Sequence, residues 1–143
     1  MSDHGSWLQA RAAGRDLLLS TRDLREVVAP VPVSPLPGGP RGIGGVVIHQ
    51  GEFLPVLAWG DLPGCRVGSG PPVALAVLRL RLGMPLDRLA GTLELGPEAW
   101  RDPPEDDPWR PWIDAVGRVG DSDLPRVDLD RLIAWLRRFR GGR

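Results

Sequence analysis

Apolar side chains in this chain come in short alternations and runs, broken at close intervals by Gly or Pro. Trp7 to Ala12 reads as a strand, Gly14 as a turn, and the run Leu17 to Leu19 as the returning strand of a hairpin. Ser20 and Thr21 precede "RDLREVV", where a hydroxyl cap predicts one short helical turn with Leu24 and Val27 on the same face. Pro30, Pro32, Pro35, Pro37 and Pro40 then impose a stiff extended loop, because Pro neither donates to a ladder nor continues a helix.

"IGGVVIHQGEFLPVLAW" predicts two strands around a turn at Gln50-Gly51. The second strand places Phe53, Pro55 and Leu57 on one face and Leu54, Val56 and Ala58 on the other, so both faces are apolar and the strand is expected to be well buried. "DLPGCRVGSGPP" is a loop. Beyond it Leu78, Leu80 and Leu82 alternate with Arg79 and Arg81, which predicts a strand with one solvated face, turned back at Gly83. "GPEAWRDPPEDDPWRPW" holds too much Pro for a helix and is expected to be a surface loop anchored by its tryptophans. Strands are predicted near Ile113 to Val119 and Leu124 to Val127. Asp128 then caps a helix with Leu129, Leu132, Ile133 and Leu136 along one face, stopped by Gly141-Gly142. About nine short strands and one terminal helix make an all-β barrel or sandwich the expected architecture.

Composition narrows the functions available. The 143 residues suit one domain, and 42% hydrophobic content argues for a packed fold despite 19 Gly and 16 Pro. Eighteen basic residues balance eighteen acidic ones, so there is no overall pull toward nucleic acid or an anionic membrane. Every basic residue is Arg; the missing Lys excludes Schiff-base chemistry and a P-loop. Cys65 is the only cysteine, so no intrachain disulfide forms, and a zinc cage is not expected. No run approaches the roughly 20 apolar residues of a membrane span, and the N-terminal stretch has no signal-peptide core. A cytoplasmic protein without direct membrane insertion is the expectation.

No candidate for chemistry survives inspection. In "GGPRGIGGV" the third glycine of a dinucleotide fingerprint would fall at Val47, and strand-like sequence follows where a helix is needed. His49 has the titration range of a general base, yet "IHQG" offers no nucleophile and no motif ties a carboxylate to it. Arg66 beside Cys65 is weak support for a thiolate. "EDDPW" lacks the glycine and terminal glutamate of a calcium loop. Arg131, Arg137, Arg138, Arg140 and Arg143 form a basic patch whose charges also oppose the helix dipole. No catalytic, cofactor or metal residues are therefore assigned. A small β-barrel module that binds a peptide or ligand, with the loop from Trp100 to Trp112 as its mouth, stands as the second reading.

The order of motifs resembles the CheW-like family, the adaptors of bacterial chemosensory arrays, whose domain also occurs as the regulatory domain of CheA-type histidine kinases. The resemblance rests on "LREVV" (Leu24 to Val28), "LPGGP" (Leu36 to Pro40), "GVVIHQGEFLPVLAW" (Gly45 to Trp59), "GMPLDRLAGTLEL" (Gly83 to Leu95) and "VDLDRLI" (Val127 to Ile133). It implies two small five-stranded SH3-like β-barrels sharing a hydrophobic core, with a short C-terminal helix, in one domain over residues 1–143 whose second barrel spans roughly 68–127. It implies a non-catalytic scaffold that couples a chemoreceptor or other sensory protein to the kinase's regulatory domain, in flagellar or pilus-based motility. By position, the partner face would comprise Leu24, Glu26, Val28, Val46, Ile48 and Gln50. Three residues depart from the family pattern: Ile48 and Gln50 stand where it has Asn and Arg, and Ala58 where it has Asp. That Arg pairs with the Glu of the "V-x-E-V" segment; here Gln50 offers Glu26 only a neutral hydrogen bond.

Overall fold

The computed structural model describes residues 5–67 and 70–141, the side chains at 139–141 excepted. Its first hairpin pairs β1 (Gly5–Ala12) with β2 (Arg15–Ser20) around Ala13 and Gly14. Both turn residues have positive φ, 55° and 83°, which suits the right-handed twist of the flanking strands. The Ser20 hydroxyl accepts from the Arg22 N–H at 3.2 Å, but the turn it caps is a single 3-10 turn, Thr21–Asp23. The helical turn expected through Leu24 and Val27 is strand β3 (Leu24–Val28), paired with β6 (Ala74–Leu78). A ladder to a buried neighbour outweighs a weak local helix preference in a segment ending in two β-branched residues.

The hairpin of β4 (Ile43–His49) and β5 (Glu52–Leu57) forms around Gln50-Gly51 as expected. The alternation from Leu78 to Leu82 does not form a strand. Leu78 and Leu82 are partners closing a tight turn between β6 and β7 (Leu82–Leu86), and Arg81 sits within it at φ 59°. Both arginines are held by partners outside the hairpin, Arg79 by Asp23 and Arg81 by Glu52. Gly83 lies inside β7, not at a turn, with Leu75 and Leu54 against its backbone.

β8 (Arg88–Leu95), β9 (Trp100–Arg101), β10 (Ile113–Val119) and β11 (Ser122–Val127) complete the strands. They join β1 and β2 in a six-stranded sheet of order β8-β1-β2-β11-β10-β9, while a five-stranded sheet runs β3-β6-β7-β5-β4. The expectation of five and five strands becomes six and five, and both strand orders are open. Residues 68–127 supply strands to both sheets, since β6 and β7 lie with β3 to β5.

Three apolar clusters follow from this arrangement. The largest lies between the sheets and gathers Leu8, Ala10 and Leu17 from one, Leu78, Met84 and Leu86 from the other. The other faces carry smaller clusters: Val47, Leu54, Val56, Leu75 and Val77 on the five-stranded sheet, and Trp7, Leu18 and Leu124 on the six-stranded one. A sheet with apolar residues on both faces must be covered on both, which explains the near-continuous apolar runs.

Helix α1 (Leu129–Gly141) closes the large core with Leu129, Leu132, Trp135 and Leu136. Asp128 Oδ1 accepts from the Arg131 N–H at 3.1 Å, the predicted cap. The loop before β10 is anchored by its tryptophans more deeply than a surface loop requires, since Trp109 and Trp112 are fully buried. Trp109 stacks on Trp59 at 5.5 Å, and Trp112 meets Trp135 edge-on at 5.1 Å.

Candidate interaction surface

β3 and β4 are opposite edges of the five-stranded sheet, yet two sets of contacts join them. Ser34, beyond β3, exchanges both backbone hydrogen bonds with Val46 at 2.9 Å. Gly45 permits this approach, because a Cβ there would lie 2.2 Å from the Ser34 carbonyl oxygen. Nearer the hairpin tip, Glu26 Oε2 accepts from Gln50 Nε2 at 3.1 Å and lies 3.2 Å from His49 Nε2. The Gln50–Glu26 hydrogen bond expected from the sequence is thus present, an uncharged amide donating to the carboxylate, and His49 has a carboxylate partner that no local motif indicated.

Gln50 (φ 50°) and Gly51 (φ 79°) occupy the two-residue turn. Positive φ is costly for a residue with a long side chain, and here that side chain crosses to the opposite edge of the sheet. Directly behind the turn, Ile48 and Phe53 are cross-strand partners and point outward, 61% and 69% exposed. With Val31, Pro32, Ser34 and Val46 they line a shallow open groove. Together they form a small exposed apolar patch at the hairpin tip.

The six positions assigned from sequence therefore separate. Ile48 and Gln50 are exposed, and Glu26 is half-buried within the clasp. Val46 is tied to Ser34. Leu24 packs on the large core and Val28 on the cluster of the five-stranded sheet. The apolar pattern of β5 predicts a well-buried Phe53; its alternation with Leu54 and Val56 puts it on the other face, and that face is open at the hairpin tip.

Around this surface the charges are mostly matched. Arg81 donates to Glu52 and to the Phe53 carbonyl, the latter at 3.2 Å. The Arg81 hydrogen bond, then its charge and that of Arg25, hold the Glu52 carboxyl below the usual carboxylate range.

The remaining candidates lie elsewhere. Burial pushes the Cys65 thiol up to about 12, against the Arg15 charge and a Trp109 hydrogen bond, so this half-buried side chain is held as the neutral thiol. Arg15 forms a two-point ion pair with Asp107 at 2.8 and 3.0 Å and lies over the Trp109 ring at 4.6 Å. The tryptophan loop is thereby sealed, and its buried rings do not line a ligand mouth. Among the described residues no group of three His, Cys, Asp or Glu is placed to hold a metal ion. Nor is any helix among them long and apolar enough to cross a membrane. Arg131, Arg137 and Arg138 are exposed on α1; the Arg140 side chain and Arg143 lie outside the described residues.

Comparison with known proteins agrees with this architecture. The scaffolding protein TtCheW from Thermoanaerobacter tengcongensis is similar in structure, with a TM-score of 0.76 at 18% identity, over 90% of this chain and 86% of that chain. No curated protein matches. The family model for the CheW-like domain matches residues 6–137. With that model spanning nearly all of its length and the two-sheet fold present, the chain belongs to the CheW-like domain family.

Proposed function

We propose that this chain is a non-catalytic adaptor in chemosensory signalling that couples a chemoreceptor, or another sensory protein, to the regulatory domain of a CheA-type histidine kinase. The observation that carries this reading is the exposed Ile48–Phe53 pair, held on a clasped sheet edge in a member of the CheW-like family. Glu26, Gln50 and Val46 frame that pair and belong to the partner face, whereas Leu24 packs on the large core and Val28 on the cluster of the five-stranded sheet. In this reading each sheet curls into a barrel half of one domain, the Ser34–Val46 pair and the Glu26 clasp closing the first half. The adaptor works in the cytoplasm, and its pathway is flagellar or pilus-based.

Reconstitution tests the coupling. Kinase, receptor cytoplasmic fragment and this chain are combined, and kinase autophosphorylation is followed. The receptor should alter the rate only when this chain is present; an identical rate with and without it would count against the proposal.

A further inference from the structure

We infer that the Pro-rich segment between β3 and β4 is a docking peptide in its own right, presented to a partner domain whose shallow groove of aromatic side chains reads polyproline II. The adaptor reading is not needed for it. Pro30, Pro32, Pro35 and Pro37 have φ set by their rings at about −65°. Ala29, Val31, Ser34 and Leu36 each precede a proline, which drives them into the extended region. Val33 is the one residue from 29 to 37 without such a constraint. Residues 29–36 form no helix and no ladder beyond the single bridge at Ser34. The stretch ends where the Gly39 N–H donates to the Leu36 carbonyl at 2.9 Å, with Pro37 and Gly38 (φ 71°) at the corner, the residues a type II turn requires.

A connector needs only to be stiff and polar. This one is exposed at every residue from 29 to 38, and its apolar Val31, Val33 and Leu36 are 46%, 40% and 45% exposed. Polyproline II has three residues per turn, so Val31 and Ser34 share one edge, Pro32 and Pro35 a second, and Val33 and Leu36 a third. The first edge is taken by the chain itself. Ser34 exchanges both backbone hydrogen bonds with Val46, and Val31 and Pro32 line the groove beside it. The other two edges remain exposed and carry Pro32-Val33-Ser34-Pro35, a P-x-x-P motif. A peptide already fixed in its bound shape, and pinned at its middle by Ser34, loses little conformational freedom on docking.

The test titrates this full chain into isotope-labelled SH3, WW and EVH1 domains, which read polyproline II through aromatic grooves, and follows the groove indole N–H signals of each by NMR. At least one reader should show saturable shifts, with a dissociation constant of about 10–500 µM. The double variant Pro32→Ala, Pro35→Ala should weaken that binding about tenfold or more, and Leu36→Ser should weaken it as well. Phe53→Ser alters the neighbouring apolar pair and no residue of the segment, so it should bind as wild type. Melting curves confirm that each variant is folded. Four outcomes overturn the inference: no shift in any reader, undiminished binding by the segment variants, a loss in Phe53→Ser equal to theirs, or binding of a synthetic 29–37 peptide but not of the folded chain. Each of them leaves the adaptor reading as it stands.

Discussion

Replacing Trp109 with Ala is the most severe test of how the Pro-rich loop serves the fold. The ring is fully buried, stacked on Trp59 with 15° between the planes, and capped by the Arg15 guanidinium. Its N–H reaches the Gly64 carbonyl at 3.4 Å. Truncating a buried Trp costs about 3–5 kcal/mol through lost transfer energy and the cavity left behind. The Arg15 contact adds up to about 1 kcal/mol, and the two are not additive. Against a total stability of about 5–15 kcal/mol, Trp109→Ala should remove about a fifth or more and lower the melting temperature by about 10 °C. Trp109→Phe, which keeps an aromatic face for Trp59, should lose less than half as much. Urea unfolding followed by far-ultraviolet circular dichroism measures both without relying on the missing fluorophore. A loss below about 1 kcal/mol for Trp109→Ala would refute the packing argument and reopen the loop as a ligand mouth.

Other consequences follow from single contacts. Gly45→Ala places a methyl 2.2 Å from the Ser34 carbonyl, so it should break the Ser34–Val46 pair and cost about 2–4 kcal/mol in denaturant titrations, with the amide exchange of both residues accelerated. Burial raises the Asp107 carboxyl, but the Arg15 and Trp109 hydrogen bonds and the Arg15 and Arg110 charges outweigh it, leaving it below the usual carboxylate range. A depressed acid stabilises the fold above its unfolded titration point and loses that contribution as pH falls through the folded one. Stability measured from neutral to acid pH should therefore fall less steeply in Asp107→Asn than in wild type, from a lower starting value. Cys65, pushed up to about 12 by burial, should resist thiol reagents at pH 8 in the folded protein and react rapidly once unfolded.

Much of this fold is written locally. Gly14 and Gln50-Gly51 mark hairpins, and Asp128 with Leu129, Leu132 and Leu136 marks the helix, because each signal lies within a few residues of what it specifies. The failures are non-local. Arg79 and Arg81 mimic a solvated strand face because alternation cannot distinguish a strand from a tight turn whose arginines are bound by Asp23 and Glu52. "RDLREVV" carries a genuine cap, but β6, some fifty residues away, decides that a strand follows. The six-and-five division depends on β1 and β2 leaving their sequence neighbours to join β8 through β11, and no short motif encodes that.

The interaction surface divides in the same way. Motif order located the hairpin of β4 and β5 and anticipated the Glu26–Gln50 contact. Position alone could not show that Leu24 and Val28 face inward, nor that Phe53 and Ile48 form one exposed pair. Period-two alternation assigns a residue to a face, but whether that face is covered depends on the rest of the fold.

Isothermal titration of this chain with the regulatory domain of a CheA-type kinase from the same organism tests the central claim most directly. The adaptor account predicts saturable one-to-one binding with a dissociation constant in the micromolar range, about −8 kcal/mol. No detectable heat or complex at tens of micromolar, with both proteins folded, would contradict it.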